Sequence, residues 1–542
     1  MHYLVSIRTS SFFCAALSLA LIMMLSEYNN NSNIAISSQP FLHISHLIQV
    51  AAALPTTTNS NFYGNDSITY IQLPGVIPSI NNSVSPTPSP ASPSVSQPTL
   101  SPPPPPITRN TRAPPAPGGP TLNDPNLRVE QILTGLNLPT SMAFLGPNDI
   151  LVLEKDTGIV HRIVNGKLLP EPVLRVPVAT EGERGLLGIA IAKNNGNGDG
   201  GPSYAFLYYT ESGGGKTGDD APDNSTANTN TNTNGSGTPP AGNRLYRYDL
   251  DLNNVKLTNP LMLLNLPATP PPGREGTEKN HNGGKVLIGT DNNVYVGIGD
   301  VAGHRGQAEN NPVGGAPDGT GGILRVTQDG QIVDNPPLGS DTIPLSLYYA
   351  YGMRNTFGMD FDPVTGNLWD TENGNTFGDE INLVNPGFNS GWSQVAGIWE
   401  AGSKPGPAIG ADSNNPPKSL VTFDGKGVYR APEFALLETI APTALKFLSS
   451  DRLGKQYENN IFMGDVNLGN LYNFKLNEDR TGLVLDGPLA DKVANAPVEM
   501  QQGGIILGQG FGVITDMQVG PDDGYLYILT LQGSIYRIVP SS

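Results

Sequence analysis

Six segments of the chain repeat one pattern, and this self-similarity constrains the fold more than any other feature. Each segment begins with a short strand-like stretch, continues through a turn rich in Pro, Asp, Gly or Asn, and returns in a second strand-like stretch. The first strands are SMAF (141–144), GIAI (188–191), KVLI (285–288), GMDF (358–361), ALKF (444–447) and DMQV (516–519). Almost no helical periodicity accompanies them, so helices cannot cover the faces of a parallel sheet. A β-sandwich would have fewer strands and no such repeat. We therefore predict an all-β fold, a six-bladed β-propeller over residues 123–540, in which radial packing protects the sheet edges.

Segments of low complexity precede and interrupt the repeat. Residues 28–122 are rich in Ser, Thr, Asn and Pro, and this composition predicts a disordered stalk. A similar stretch at about 212–243 predicts a long surface loop inserted in the propeller. Residues 1–27 contain the apolar run Phe12–Leu25 after Arg8, which indicates a signal peptide or an N-terminal membrane anchor. We expect the protein to be extracellular or at the cell surface, with any membrane contact made through this segment.

Net charge limits the possible partners, and the cysteine content limits how the domain can be stabilised. The formal net charge is -17, which repels nucleic acid and anionic lipid. The only cysteine, Cys14, lies in the apolar N-terminal run, so the domain must depend on its core rather than on disulfides. We predict no nucleic-acid partner.

The repeat predicts where a polar site should lie. In a propeller the loops that lead into the first strands converge at one mouth. The residues four places before the predicted first strands are Asn137, Arg184, His281, Arg354, Ile440 and Gly512. Three successive units thus direct Arg184, His281 and Arg354 to one side of the axis, with Glu183 as the alternative to Arg184 if the register shifts by one. For each residue alone, a surface charge or a structural hydrogen bond is the competing interpretation.

His281 is the candidate general base. A neutral imidazole can remove a hydroxyl proton near neutral pH and needs a carboxylate to orient it. Asp300, at the end of the second strand of the same unit, is the candidate carboxylate. His161 lies in the strand-like GIVHRI and is interpreted as structural, whereas His304 follows Asp300 in a Gly-rich loop and could also reach the mouth.

The loop TENGNTFGDEINLV, residues 371–384, is a candidate cation site. Ca²⁺ prefers six to eight oxygen ligands, many of them backbone carbonyls, and glycines let carbonyls turn inward. Gly374, Asn375, Asp379 and Glu380 are the candidate ligands. The spacing is not that of an EF-hand, and an ordinary Gly- and Asp-rich turn is the alternative.

The same motifs resemble the soluble quinoprotein glucose/sorbosone dehydrogenase family. The resemblance covers most of residues 123–540 and is strongest in the middle of the domain. Its motifs are LNLPTSMAF, GERGLLGIA, HNGGKVLIG with GIGD, YGMRNTFGMDF, GDEINLVNPGFNSGW, APTALKFL and ITDMQVGPDDGYLYILT. The resemblance implies a six-bladed propeller that binds pyrroloquinoline quinone (PQQ) and Ca²⁺ and oxidises a sugar or polyol by hydride transfer to the quinone.

The resemblance also implies roles for individual residues. His281 matches the general base and Asp300 its supporting carboxylate, while Arg354 and Asn355 match cofactor contacts. Further matches are Glu183, at a position facing the quinone, Gly374 and Asn375, whose carbonyls would hold the cofactor's Ca²⁺, and Glu380, a ligand of a further Ca²⁺.

Three positions depart from the family pattern. Asn467, Val513 and Thr515 stand where the bacterial glucose enzymes place a Lys and two Arg residues against the carboxylates of the quinone. A charge-assisted hydrogen bond contributes roughly 1.5 to 3 kcal/mol, so losing three would weaken cofactor binding by several orders of magnitude unless other cations replace them. Arg184, Lys426 and Arg430 are candidate replacements.

Two main functional hypotheses follow. The first is an exported quinone-dependent sugar dehydrogenase, which would need a separate electron acceptor because the chain has no Cys-x-x-Cys-His haem motif. The second is a non-enzymatic cell-surface propeller that binds glycans or proteins, as the missing cations would allow. A propeller hydrolase or lactonase is a third reading that depends on fold analogy alone.

Overall fold

The computed structural model describes residues 112–193, 203–218, 239–269, 279–339, 342–398 and 417–541. The predicted signal or anchor segment, the stalk up to residue 111 and positions 219–238 of the predicted insertion lie outside these ranges. Within them, no helix is long and apolar enough to cross a membrane.

Short β-strands make up most of the described chain. The first eleven are β1 (Thr121–Leu122), β2 (Leu127–Leu133), β3 (Pro139–Gly146), β4 (Asp149–Glu154), β5 (Ile159–Val164), β6 (Lys167–Leu168), β7 (Leu174–Arg175), β8 (Leu186–Ala192), β9 (Ser203–Glu211), β10 (Gly242–Asp251) and β11 (Lys256–Leu266). The next nine are β12 (Val286–Ile288), β13 (Val294–Ile298), β14 (Gly322–Val326), β15 (Tyr348–Tyr351), β16 (Thr356–Phe361), β17 (Leu368–Glu372), β18 (Asp379–Val384), β19 (Phe388–Asn389) and β20 (Val428–Tyr429). The last nine are β21 (Phe434–Leu436), β22 (Pro442–Phe447), β23 (Ile461–Asp465), β24 (Leu471–Phe474), β25 (Val493–Ala494), β26 (Ile506–Gln509), β27 (Ile514–Val519), β28 (Leu526–Thr530) and β29 (Ser534–Pro540).

Helical structure is sparse in the described residues. It consists of the α-helix α1 (Pro497–Gln502) and three single-turn 3₁₀ helices, Gln307–Glu309, Leu345–Leu347 and Gly487–Leu489. The all-β character predicted from the sequence is thus confirmed.

The described strands form six sheets, numbered here in the order of their first strands. Their strand orders are β3-β4-β5-β6 with β7 paired to β5 (sheet 1), β8-β9-β10-β11 (sheet 2), β12-β13-β14-β15-β19-β20 (sheet 3), β16-β17-β18-β21-β25 (sheet 4), β22-β23-β24-β26-β1 (sheet 5) and β27-β28-β29-β2 (sheet 6). Five of the six predicted first strands lie within the first strand of a sheet, and the sixth, 285–288, begins one residue before β12. The first strands β3, β8 and β12 contact one another in turn, β13 contacts β16, and β16, β22, β27 and β3 continue the series. The fold is an all-β propeller.

The second strands show why the repeat folds this way. All residues of β13, β17, β23 and β28 are buried, because each sheet packs on both faces against its neighbours. One core cluster joins residues of sheets 2 and 3, including Phe206, Tyr208 and Val296, and another joins sheets 4 and 5, including Trp369 and Phe447. Radial packing therefore needs the apolar strand sequences found in every unit.

The N-terminal part of the domain closes the ring of sheets. Strand β2 pairs antiparallel with the C-terminal strand β29, from Leu127 opposite Pro540 to Leu133 opposite Ile535. Just before it, β1 pairs with β26 at the edge of sheet 5. Two N-terminal strands thus cover the outer edges of the last two sheets, which would otherwise be open to another chain.

The ordered domain begins before the predicted boundary. The sequence places residues 112–122 in the disordered stalk, but Ala113 is buried and its amide donates a hydrogen bond to the Val466 carbonyl at 3.0 Å. The boundary prediction was wrong because composition measures how much apolar surface a segment can bury, whereas this segment is held by backbone hydrogen bonds to edges built elsewhere.

A buried ion pair connects three first strands. Nζ of Lys285 lies 2.6 Å from Oδ1 of Asp516, and both side chains are almost fully buried. The other carboxylate oxygen accepts hydrogen bonds from the Ser141 hydroxyl at 2.9 Å and the Met142 amide at 2.8 Å. Asp516 on β27 thereby holds β3 and β12 together.

We expect Asp516→Ala to lower the free energy of unfolding by about 3 to 5 kcal/mol, because it leaves the Lys285 ammonium buried without a counter-charge. Urea unfolding followed by intrinsic fluorescence measures the change. Asp329→Ala is the matched control, since Asp329 pairs with Arg247 but its own side chain is 72% exposed. That control should cost no more than about 1 kcal/mol, and equal effects of the two substitutions would contradict the role given to Asp516.

Candidate active site

The candidate residues lie at one end of the sheets, called here the site end. First and second strands run antiparallel, as Thr356 opposite Glu372 and Pro442 opposite Asp465 illustrate. The segments that lead into first strands and those that leave second strands therefore share this end. His281 and Arg354 precede first strands, and Asp300 and Gly374 follow second strands.

His281 and Asp300 form a buried pair at the site end. Nδ1 of His281 lies 2.5 Å from Oδ1 of Asp300. The amide of His281 donates to Oε2 of Glu183 at 2.6 Å, and the residue has a positive φ of 63°, a backbone conformation that is uncommon outside glycine. The amide of Asp300 donates to the carbonyl of Arg354 at 2.8 Å. Backbone hydrogen bonds from two neighbouring units thus fix both partners.

Trp392 completes the support of this pair. Its indole N–H donates to Oδ2 of Asp300 at 3.0 Å, and Asp300 is only 1% exposed. With both oxygens accepting, the carboxylate favours the His281 tautomer that carries its proton on Nδ1. Within the described ranges, no hydrogen-bond partner contacts Nε2 of His281, so that nitrogen keeps its lone pair for a ligand.

Arg354 provides a cation beside this pair. Its Nη1 donates to the carbonyls of Asn373 at 2.8 Å and Gly374 at 2.7 Å, and its amide donates to Oε1 of Glu372 at 2.7 Å. Burial lowers the pKa of Arg354, while the nearby carboxylates of Asp300 and Glu183 act in the opposite direction. The guanidinium also lies 5.7 Å from the centre of the Trp392 ring.

Asn355 is buried next to Arg354. It is 2% exposed, and its carbonyl accepts a hydrogen bond from the Asn373 amide at 3.0 Å. Its side-chain oxygen has no hydrogen-bond donor in the described structure. A buried acceptor without a donor is costly, and a bound ligand could satisfy it.

Both carboxylates among the four candidate cation ligands accept hydrogen bonds from other groups of the domain. Asp379 accepts hydrogen bonds from the amides of Gly374, Ile440 and Ala441 at 2.7 to 2.8 Å. Its carboxylate therefore anchors the loop at Gly374. Glu380 accepts from the Gly397 amide and the Ser390 hydroxyl. The two carboxylates are successive residues of β18, and side chains alternate between the two faces of a strand. The assignment of Gly374, Asn375, Asp379 and Glu380 as cation ligands therefore stays a prediction.

The carbonyl of Gly374 is available only in part, because Arg354 donates to it. Asn375 is exposed in the same loop. In the described residues, no group of three or more His, Cys, Asp or Glu side chains has an arrangement that could hold a metal ion.

Arg184 is buried and donates to a backbone carbonyl. It is 3% exposed, and its Nη2 donates to the carbonyl of Ala268 at 2.6 Å. Glu183 is the residue that contacts His281, so the alternative register considered in the sequence is the one the structure contains. The assignment of Arg184 as a cofactor contact stays a prediction, since a one-residue shift in an extended segment reverses the side-chain direction.

The other candidate replacement cations are also engaged elsewhere. Nζ of Lys426 donates to the Gly339 carbonyl at 3.1 Å, and Arg430 pairs with Glu433. At the positions that depart from the family pattern, Val513 is buried and the Thr515 hydroxyl donates to the Leu529 carbonyl at 3.3 Å. Asn467 is exposed.

The two remaining histidines of the domain serve other contacts. His161 lies in β5 and approaches Glu154 at 3.3 Å, in agreement with its structural interpretation. His304 has Nδ1 at 2.6 Å from Asp318 and Nε2 at 2.8 Å from the Thr269 carbonyl. Since both ring nitrogens face acceptors, His304 is suited to the protonated form, and these contacts and its burial leave it little freedom to act as a base.

Sequence reasoning missed Trp392 and Glu372. Trp392 lies 92 residues from Asp300 along the chain, and only the motif NSGW marked it as part of a matching segment. Glu372 and Asp370 belong to the buried strand β17, where a carboxylate in an apolar strand was the available signal.

Burial shifts the titration of this strand's carboxylates. Asp370 is fully buried, and burial raises its pKa to about 7, while a hydrogen bond from Thr356 acts in the opposite direction. Its pKa in the unfolded chain is about 3.9. The folded state therefore holds this proton more tightly, and the resulting stabilisation, present below about pH 4, is lost as the pH rises to about 7.

We expect the free energy of unfolding of the wild-type protein to fall more steeply than that of Asp370→Asn between pH 5 and pH 7. The contribution of one such group approaches about 1.4 kcal/mol per pH unit at its steepest. Urea unfolding at several pH values measures both slopes. Asp451→Asn, at an exposed carboxylate, should keep the wild-type slope, and a parallel pH dependence for Asp370→Asn would show that Asp370 does not titrate in this range.

The structure is thus an all-β propeller that carries a buried His–carboxylate pair, His281 and Asp300, and a cation, Arg354, at the site end. The family model described as "Glucose / Sorbosone dehydrogenase" matches residues 136–537. The chain belongs to this family, and with it to the sugar dehydrogenase enzymes.

Individual relatives agree with this assignment. The chain is 26% identical to "Aldose sugar dehydrogenase YliI" of Escherichia coli over 426 residues, which cover 76% of this chain and 93% of that protein. It is 28% identical to "Quinoprotein glucose dehydrogenase B" of Acinetobacter calcoaceticus over 293 residues, 50% of this chain and 53% of that one. The PQQ-bound structure of an aldose sugar dehydrogenase from Streptomyces coelicolor shares the fold, with a TM-score of 0.51 and 20% identity over 79% of this chain and all of that chain.

Proposed function

We propose that this protein is a PQQ-dependent dehydrogenase that oxidises an aldose sugar or a polyol, with His281 as the general base. The observation that carries the proposal is the His281–Asp300 pair, buried at the site end with Nε2 of His281 free of partners among the described residues. Relatives named for aldose sugar and glucose dehydrogenation give the substrate class.

Each residue near His281 has a distinct part in the proton transfer. Nε2 accepts the proton of the substrate hydroxyl, and Asp300 stabilises the imidazolium that forms. Trp392 holds the second oxygen of Asp300, so the carboxylate cannot rotate away from Nδ1. Glu183 holds the backbone of His281 in its position through the amide hydrogen bond.

The residues around Arg354 fit an anionic, multidentate cofactor. The guanidinium offers a partly buried cation, and the side-chain oxygen of Asn355 lacks a donor in the described structure. When bound, PQQ supplies the acceptor for the hydride that leaves the substrate carbon. Arg354 and Asn355 would hold it beside His281.

Calcium is proposed at the carbonyls of Gly374 and Asn375. The Gly374 carbonyl already faces a positive group, since Nη1 of Arg354 donates to it at 2.7 Å. If this carbonyl held Ca²⁺, the Arg354 guanidinium would have to give it up, because two positive groups at one oxygen repel each other. The freed guanidinium could then pair with a carboxylate of the cofactor.

Three further proposals concern the number of blades, the export of the protein and its electron acceptor. We propose that the six described sheets are the six blades of one propeller, which the series of contacts between neighbouring first strands and sheets supports. Export is proposed from the apolar N-terminal run, with the protein extracellular or held at the cell surface. A separate electron acceptor is proposed because no haem-binding motif occurs in the sequence.

We expect His281→Ala to lower the rate of sugar-dependent cofactor reduction by about 10² to 10⁴-fold, because the hydroxyl proton loses its acceptor. The purified chain is titrated with PQQ and Ca²⁺, and the quinone absorbance is followed while aldoses and polyols are added. Binding of the quinone itself should change by only a few fold.

His161→Ala provides the matched control, since this imidazole contacts Glu154 in sheet 1 rather than the site. Its reduction rate should equal that of the wild type. If wild-type protein binds the quinone and no sugar reduces it, the dehydrogenase proposal fails and the propeller is better studied as a glycan- or protein-binding module.

A further inference from the structure

We propose that Arg112 supplies a cation for a carboxylate of the bound quinone on the side of the site end formed by sheets 5 and 6. Arg112 begins the N-terminal strap, defined as residues 112–119, which precedes β1. This inference rests on the proposed function, because it assumes that PQQ is the ligand. It concerns a residue from the segment whose composition predicted a disordered stalk.

The strap is attached to the loops at the site end of sheets 5 and 6. The Ala113 amide donates to the Val466 carbonyl at 3.0 Å, directly after β23. The Ala113 carbonyl accepts a hydrogen bond from Nε2 of Gln532 at 3.3 Å, and Oε1 of the same glutamine accepts from the Val513 amide at 3.1 Å. Gln532 thus links the strap to the segment that leads into β27.

Packing restricts the same position further. Ala113 is 6% exposed, and a Cβ added at Gly469 would lie 3.1 Å from the Cβ of Ala113. Three residues on, the Ala116 amide donates to the Gly510 carbonyl at 3.0 Å. The strap therefore fits closely between two loops, and Arg112, the residue next to Ala113, is exposed beside them.

Those loops provide no positive side chain of their own. The segments 437–441 and 510–513 lead into β22 and β27, and segments 466–470 and 531–533 leave β23 and β28. Their sequences, LETIA, GFGV, VNLGN and LQG, contain no Lys or Arg and include Glu438. Two positions that depart from the family pattern, Asn467 and Val513, lie in these loops. The strap contacts or adjoins both positions.

Among the residues that the structure describes, nothing neutralises the charge of Arg112. It forms no ion pair with any residue of the described ranges, whereas Arg354, which precedes β16 of the neighbouring sheet 4, donates to two carbonyls. Since the whole chain carries a net charge of -17, an anionic ligand needs local positive charge to approach the mouth. A guanidinium suits a carboxylate because it can donate two parallel hydrogen bonds.

The test measures PQQ affinity directly, without turnover. The full chain is titrated with PQQ at saturating Ca²⁺, and the dissociation constant is determined from the quenching of tryptophan fluorescence. Arg112→Ala should weaken binding about tenfold or more, the loss typical of one charge-assisted hydrogen bond. It should also reduce the dependence of the dissociation constant on salt concentration.

Two companion variants separate the local effect from the loss of one charge. Arg175→Ala removes an exposed arginine from β7 at the outer part of sheet 1 and should leave affinity within about twofold of wild type. Asn467→Lys introduced into Arg112→Ala should restore most of the affinity, because it places a cation on the loop that the strap contacts. Thermal melts of all variants should coincide, since Arg112 and Asn467 are exposed.

The outcomes distinguish this inference from the proposed function. If wild-type protein binds PQQ and Arg112→Ala binds it as tightly as Arg175→Ala does, the role of Arg112 is overturned and the proposed function stands. If wild-type protein does not bind PQQ, both fail. A tenfold loss restored by Asn467→Lys supports both.

Discussion

Closure of the ring by the N-terminal strands is the constraint on which the rest of the structure depends. Strand β2 adds to β29 and β1 adds to β26, so residues more than 380 positions apart become neighbours in sheets 5 and 6. Their backbone hydrogen bonds satisfy edges that a linear series of sheets would leave open. With closure, the first strands are held around one axis, and the buried Lys285–Asp516 pair can join strands from three sheets.

The site follows from this geometry because its residues are fixed by backbone contacts between neighbouring sheets. Asp300 is held by the Arg354 carbonyl, His281 by Glu183 and the loop at Gly374 by Asp379. Several carboxylates that look like metal ligands in the sequence serve as acceptors for backbone amides. An amide hydrogen bond to a buried carboxylate is strong, and a loop rich in glycine needs such anchors to keep one conformation.

The two sides of the site end differ in how they obtain positive charge. On the side of sheets 3 and 4, Arg354 is built into the segment that precedes β16 and rests on two carbonyl groups. On the side of sheets 5 and 6, the loops carry no cation, and the strap brings Arg112 to them from the N-terminal end. Family membership defines the chemistry as that of sugar dehydrogenases, and in this chain the two charges come from separate parts of the sequence.

The sequence by itself determined the strand repeat, the position of all six first strands and the pairing of His281 with Asp300. Strand patterning is a local property, and residues in equivalent turns of a repeat share one end of the fold, so no long-range information was needed. The tertiary structure alone decided that Arg184 donates to the Ala268 carbonyl, that Asp379 and Glu380 face opposite sides of β18, and that Trp392 supports Asp300. It also decided that residues 112–122 belong to the folded domain. Each of these features depends on a one-residue register or on partners distant in sequence. Packing between sheets, and not the pattern within any one sheet, sets which atom a side chain contacts.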